Sequence, residues 1–320
     1  MRVRVVVLLS LLGGCPPPQP QPSFITTRGP VEVPVPFTAS DPASLGKLDD
    51  RLIEWVFDGG QIEFELYRRG TRIVQIARNR FATPVVIRWT MNAFDNVEPR
   101  SAPEGVAFLP AAPSPFGLGQ NVVLGELDVI DPSRRYRREL AFRARWGDPR
   151  AEPSDYVYRL PYPPKQTFSV LQGFHGAFSH RGSNEFAVDF DCPVATSVLA
   201  ARPGVVVAAN AAAQGAGTTP DWLDYRRTNF ILIQHDDGTL GEYMHLSPSG
   251  IEVKPGQRVE RGTALALSGN TGFSSTPHLH FQVMTAGDDG VSARSFPFRI
   301  AATPTRVEEP VQGRRYASWE

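Results

Sequence analysis

The chain has 320 residues, room for about two domains of roughly 150 residues each. Its 33 basic and 33 acidic residues cancel to a formal charge of zero, which excludes the strongly basic domain of a general nucleic-acid binder. Hydrophobic residues at 41% and charged residues at 21% exclude disorder for the bulk of the chain; 30 prolines with 28 glycines disfavour long helices and favour short strands joined by turns.

The chain opens with arginines at positions 2 and 4, an apolar run from Val5 to Leu12, and small residues before Cys15. The run is too short to span a bilayer as a permanent helix and reads as a secretory signal. Leu12-Gly13-Gly14-Cys15 resembles the bacterial lipobox, which implies a signal peptide over 1–14 and a lipid on Cys15. The proline-rich stretch 15–23 is then a stiff tether. The expected location is the cell envelope, with the protein lipid-anchored on the periplasmic side of the outer membrane. No later stretch reaches the run of about 18 apolar residues that a membrane helix needs. Two cysteines cannot form a disulfide framework, and Cys192, in the apolar run Phe186–Val198, is expected as a buried, inert thiol.

Residues 24–160 read as β throughout. Val31–Phe37, Gln61–Tyr67, Arg72–Arg78, Val85–Met91, Leu124–Ile130, Leu140–Trp146 and Tyr156–Leu160 are short and rich in β-branched or aromatic residues. Ile62, Phe64 and Leu66 fall on one face; Gln61, Glu63 and Glu65 fall on the other and read as a solvated face. This spacing predicts an antiparallel β-sandwich, with one short helix within Asp41–Ile53. Pro161–Lys165 reads as a hinge. The second half, 161–302, also reads as strands, over Ser197–Ala209, Asn229–His235, Gly241–Leu246, Thr263–Ser268 and Leu279–Met284. A polar tail, 303–320, is expected to be loosely held.

The six histidines all lie between 175 and 280, and residues 24–160 contain none. In Pro277-His278-Leu279-His280-Phe281-Gln282-Val283, strand alternation sets His278, His280 and Gln282 on one face and Leu279, Phe281 and Val283 on the other. Two imidazoles so placed can serve one metal centre, one as ligand and one as its neighbour. In Phe186-Ala187-Val188-Asp189-Phe190, the alternation turns Asp189 and Asp191 away from the core, and His180 arrives from the preceding loop. In Glu242-Tyr243-Met244-His245, Tyr243 and His245 are expected to share a face. Two histidines and a carboxylate with an open fourth position make a catalytic rather than a structural zinc site. His235 reads as a strand-end residue near the groove rim and His175 as a loop residue. Asp221 and Asp224 sit in an insertion, Ala211–Arg227, that shapes a groove wall and receives no chemistry.

Ser179-His180-Arg181-Gly182 through Phe186-Ala187-Val188-Asp189-Phe190, Tyr243-Met244-His245-Leu246 and Thr276-Pro277-His278-Leu279-His280-Phe281 follow in the order of three histidine motifs. Between them lie Val253–Gly262 and Ser268-Gly269-Asn270-Thr271-Gly272, glycine-marked hairpin elements. Together, over roughly 115 residues from Ser169 to Met284, they resemble the lysostaphin-type zinc metallopeptidases, endopeptidases that cut peptidoglycan peptides. The resemblance implies a β-rich peptidase domain with an open groove. It also implies one Zn2+ per chain on His180, Asp189 and His280, and catalytic histidines at His245 and His278. His180 and Asp189 stand nine positions apart, against four in the common family pattern; Ser183-Asn184-Glu185 supplies the extra loop, and Asp191 is the competing carboxylate.

The resemblance implies a zinc endopeptidase acting on peptide bonds in peptidoglycan stems or cross-bridges. Its partners would be peptidoglycan, the membrane through the N-terminal lipid and, on some readings, a regulatory protein; nucleic acid is not among them. The alternative is a catalytically silent member that binds peptidoglycan or activates another wall hydrolase. It depends on the unusual first-motif spacing, since all five positions are present. A lipoyl- or biotin-carrier reading of the hairpin is discounted, because Lys254 beside Pro255-Gly256 is not at a hairpin tip.

Overall fold

The structure is a computed structural model that describes residues 5–7 and 46–319. Cys15, the tether and the expected strand Val31–Phe37 lie outside the described residues. Val5–Val7 forms a strand paired in parallel with Leu140–Phe142. Almost all regular structure among the described residues is β, with helix limited to short 3-10 turns. None of the helices there is long and apolar enough to cross a membrane. The described residues divide into two compact units, one drawn mainly from 46–149 with 286–292 and the other from 150–285 with 293–319.

The first unit holds two sheets, antiparallel apart from the parallel pairing of Val5–Val7. One orders Lys47–Phe57, Gly60–Arg69, Arg72–Asn79, Asn121–Val129 and Val97–Pro99; the other sets Val85–Asp95 between Arg137–Trp146 and Glu104–Leu109. Alternation drives Ile62, Phe64 and Leu66 into the core, where Phe64 meets Phe142 of the other sheet at 4.7 Å and Trp55 stacks on Trp146 at 4.0 Å. Two expectations need correcting. Residues 47–53 are strand rather than helix, because the turn at Gly59, with φ of 108°, folds Lys47–Phe57 back onto Gly60–Arg69 and puts Leu52 opposite Phe64. The face carrying Glu63 and Glu65 is not solvated either: both are buried, Glu63 at 0% exposure, under Arg51, Arg78 and Arg80.

The second unit is built on one long antiparallel sheet. Its strands run Arg258–Val259, Gly204–Asn210, Phe230–Gln234, Leu240–Met244, Leu279–Ala286, Val188–Phe190, Thr167–Gln172 and Arg315–Ala317. The expected strand Ser197–Ala209 is two, Ser197–Leu199 and Gly204–Asn210, interrupted around Pro203, which has no N–H to offer a ladder. Tyr158, Leu160 and Tyr162 are buried in this unit's core, so the division between units falls near residue 149 rather than at Pro161–Lys165. The C-terminal segment is tied down rather than loose. Arg315–Ala317 pairs with Thr167–Ser169, Tyr316 is buried, and the Tyr162 hydroxyl donates to the Tyr316 carbonyl at 2.8 Å. Cys192 is buried and free, and desolvation pushes its thiol pKa up, as an inert thiol requires.

Candidate metal centre

Three neighbouring strands set the floor of the site. Asp189 lies directly opposite His280, and His280 lies opposite Met244 on its other side. Asp189 and His280 therefore meet by register, and His280 Nδ1 stands 2.9 Å from Asp189 Oδ1. His180 comes from the loop after Thr167–Gln172, and Gln172 fixes that loop. Its carbonyl Oε1 accepts from the Phe178 and Ser179 amides, both at 2.9 Å, while its Nε2 donates to Asp189 Oδ2 at 2.9 Å. A side chain at Gly176 would meet the Gln172 side chain at 2.5 Å, so this turn needs glycine.

His180 Nδ1 faces the Gly173 carbonyl at 2.8 Å; a carbonyl only accepts, so Nδ1 carries the proton and Nε2 keeps a lone pair. That Nε2 lies 3.2 Å from Asp189 Oδ2. The donor atoms of His180, Asp189 and His280 all fall within 4.8 Å of one another, and all three residues are buried. The Nε2 atoms of His180 and His280 have no hydrogen-bond partner, which is costly for buried polar atoms unless something else engages them. Ligands about 2.0–2.1 Å from a tetrahedral zinc sit roughly 3.3 Å apart, close to the 3.2 Å between His180 Nε2 and Asp189 Oδ2. The donor set fits a divalent cation of that kind.

Burial alone would raise the Asp189 pKa; the surrounding His278, His180 and His280 outweigh it and hold the carboxyl well below its ordinary range. Burial likewise disfavours the charged form of His180, but the neighbouring Asp189 carboxylate prevails and raises its pKa.

His245 and His278 stand beside this cluster. Their ring centroids are 4.5 Å apart, and His245 is 5.9 Å from His280. His245 Nδ1 donates to the Thr271 carbonyl at 2.7 Å and His278 Nδ1 to the Thr276 carbonyl at 2.8 Å, leaving both Nε2 atoms free of these backbone bonds. Desolvation, then the nearby His278 and His280, push the His245 pKa well down. His245 does not share a face with Tyr243, as alternation would require. The strand ends at Met244, and His245 takes φ of +63°; Tyr243 points into the core, where its hydroxyl accepts from the Ala201 amide at 2.8 Å. His278 likewise just precedes the strand Leu279–Ala286 and is held by a single bridge to Gly269.

Asp189, His245, His278 and His280 line an open groove of about 200 Å³, while His180 is fully buried beside Asp189. Asp191, two residues past Asp189, is exposed and outside the cluster. His235 is not at the groove rim. It is buried beside Thr239 and borders a separate pocket with Arg202 and Tyr156, because the turn after Gln234 carries it away. His175 is exposed, 3.2 Å from Glu185. Asp221 pairs with Arg227 at 3.0 Å and Asp224 caps the Arg226 amide at 2.8 Å; their insertion contributes Leu223 to the groove. Sequence reasoning missed Gln172 and Asn184, which also line the groove. A lone glutamine at a strand end gives no signal, and Asn184 was visible only as part of the extra loop.

Residues 183–291 match the family described as Peptidase family M23. Asp189, His245, His278 and His280 fall inside the matched segment and His180 just before it. The glycyl-glycine endopeptidase ALE-1 of Staphylococcus capitis is 40% identical over 105 residues, 32% of this chain and 25% of the relative. The peptidoglycan DD-endopeptidase ShyA of Vibrio cholerae is 36% identical over 99 residues, 31% of this chain and 20% of the relative. Lysostaphin of Staphylococcus simulans is 36% identical over 123 residues, 38% of this chain and 22% of the relative. The chain thus spans a quarter or less of the length of these relatives. The solved catalytic domain of lysostaphin aligns over 45% of this chain and 95% of its own, at 31% identity and a TM-score of 0.28.

Proposed function

With a peptidase family M23 domain over residues 183–291 as the premise, we propose that this protein is a zinc-dependent endopeptidase that hydrolyses peptide bonds in peptidoglycan. The observation that carries the reading is the convergence of His180 with Asp189 and His280, two residues of a groove that His245 and His278 also line. A glycan-cleaving enzyme generally needs a pair of carboxylates at the bond, and Asp189 is the only carboxylate among the described residues that line this groove.

His180, Asp189 and His280 would hold one zinc ion, which supplies Lewis acidity and lowers the pKa of a water toward about 7. The chain's own part is positioning and proton movement. Gln172 and the Gly173 carbonyl orient Asp189 and His180 from behind. His245 and His278 each commit Nδ1–H to a backbone carbonyl, so each can offer Nε2 to the reacting groups. Between them they take a proton from the attacking water and stabilise the carbonyl oxygen as it gains charge.

We extend the proposal to location: a lipid on Cys15 and the tether after it would hold the enzyme at the cell envelope, on the periplasmic side of the outer membrane. The test joins metal and product. The purified protein should contain one zinc per chain and should release muropeptides with fewer cross-links from purified sacculi, leaving glycan strands intact. New reducing ends without loss of cross-links, or zinc binding with no release at all, would sink the hydrolase reading. Cys15→Ser should move the protein out of the membrane fraction; unchanged membrane association would remove the anchor.

A further inference from the structure

The groove has a wall that the chemistry above does not use. Phe178 is 65% exposed, an unusual state for a phenylalanine two residues from a buried metal-ligand candidate. It stacks on Phe273, with ring centroids 6.3 Å apart and planes 20° from parallel, and both rings line the groove.

Neither ring sits on a loose tip. The Phe178 backbone is fastened through its amide to Gln172 Oε1. Gly272 and Phe273 form a short parallel bridge with Ala216 and Gly217, and the next residue, Ser274, donates its amide to the Gly217 carbonyl at 3.1 Å. Gly272, at φ of +83°, lies so close to Thr228 that a side chain there would meet Thr228 Oγ1 at 1.9 Å. Two separate pieces of backbone are thus fixed so that the Phe178 ring stays in water with the half-buried Phe273 ring beside it. Burial in the core does not explain them, whereas a ligand that covers them does.

The remaining lining points to the ligand's chemistry. Beside Asp189 and the histidines, the groove is lined by neutral hydroxyl and amide side chains and by apolar ones such as Leu171 and Leu223; among the described lining residues there is no lysine, arginine or glutamate. Away from Asp189 and the histidines, a charged substituent entering here would lose water and find no opposite charge.

Resting on the endopeptidase reading, we propose that Phe178 and Phe273 form a specificity wall that holds an uncharged substrate segment beside the bond to be cut. Small neutral residues lie along the rings, while acidic or basic side chains next to that bond are rejected.

The test uses the full chain loaded with zinc. Initial rates on purified peptidoglycan should show KM raised about tenfold in Phe178→Ala, with kcat within about twofold, zinc content unchanged and melting temperature unchanged. Phe178→Tyr should behave as wild type. Phe273→Ala, partly buried, is read in parallel with its melting temperature. Calorimetric binding of a capped tetra-alanine peptide, and of the same peptide with aspartate or lysine at its centre, supplies a readout separate from turnover. Wild type should bind the neutral peptide at least tenfold tighter, and Phe178→Ala should lose most of that preference. Equal binding of neutral and charged peptides, or an unchanged KM and unchanged preference in Phe178→Ala, overturns the wall. Should wild type cleave nothing, the endopeptidase reading is what fails, and the binding comparison alone decides the wall.

Discussion

Each unit of this protein buries a carboxylate under basic side chains, and they do so in opposite ways. In the first unit, Glu63 is enclosed by Arg51, Arg78 and Arg80, with Gln61 donating at 2.8 Å. Burial pushes its pKa up, yet the bonds from Arg80, Arg51 and Gln61 win and hold it below its ordinary range. In the second unit, Asp189 is enclosed by His180, His278 and His280. An arginine stays protonated and has no lone pair to give, so the cluster around Glu63 can only neutralise charge. A histidine can give up its proton and present a lone pair to a metal. The same electrostatic problem is therefore closed in one unit and left open to chemistry in the other.

The largest effects should come from the open cluster. His280→Ala and Asp189→Ala each remove one of three protein donors, so zinc content measured by atomic absorption should collapse along with activity. Asp191→Ala, at an exposed position, should keep both. The reverse pattern would move the carboxylate ligand two residues along the chain. His278→Ala and His245→Ala should keep the zinc and lose about 100-fold or more in activity, the scale of general acid–base or oxyanion groups. Their double variant should lose less than the product of the two, because groups acting as a unit are not additive. Equal zinc loss in His278→Ala and His280→Ala would erase the distinction between ligand and neighbour.

What was legible in the sequence follows from the same contrast. Asp189 and His280 sit on strands, where a period of two fixes the face, and register alone brings them together. His245 was found by motif, but its route to the site was misread. A left-handed residue reverses the alternation, and nothing in Tyr243-Met244-His245 announces φ of +63°. The burial of Glu63 was illegible for a different reason. Its partners come from Arg51, on a strand read in part as helix, and from Arg78 and Arg80 one hairpin away, so the cluster exists only after the sheet has formed. The reach of the second unit's core, back to Tyr158 and forward to Tyr316, is hidden because Tyr156–Leu160 reads as one more strand of the first half and Tyr316 sits among polar residues until it packs.

The closed cluster should answer on stability alone. Glu63→Ala leaves Arg80 without its buried carboxylate, while Arg78 keeps Glu65, and should destabilise the first unit by about 2–3 kcal/mol, toward the low end for breaking a buried pair because the arginines keep some solvent. Zinc content should not move. Chemical denaturation read by tryptophan fluorescence, which follows Trp55 and Trp146 in that unit's core, checks the loss. A metal or activity defect in Glu63→Ala would break the separation between the two kinds of cluster.

His235 gives the smallest effect and the sharpest contrast, because it is a buried histidine with no carboxylate held against its ring. Its Nδ1 meets the Thr239 hydroxyl at 3.0 Å, and its Nε2 has no hydrogen-bond partner. Desolvation first, then the charge of Arg202, pull its pKa down to about 3, against the opposing pull of Asp237 and Asp236. The folded chain thus refuses a proton that the unfolded chain takes up near pH 6.5. The contribution to stability is complete above about pH 6.5 and is lost progressively as the pH falls toward 3. By pH 5 the loss from this residue should be on the order of 2 kcal/mol. Urea titrations of wild type at pH 7 and pH 5 should show that decrease, and His235→Gln, which cannot titrate, should show a pH dependence smaller by about the same amount. An identical pH dependence in the two proteins would mean that His235 charges in place, with Asp236 and Asp237 receiving it as Asp189 receives the histidines of the groove.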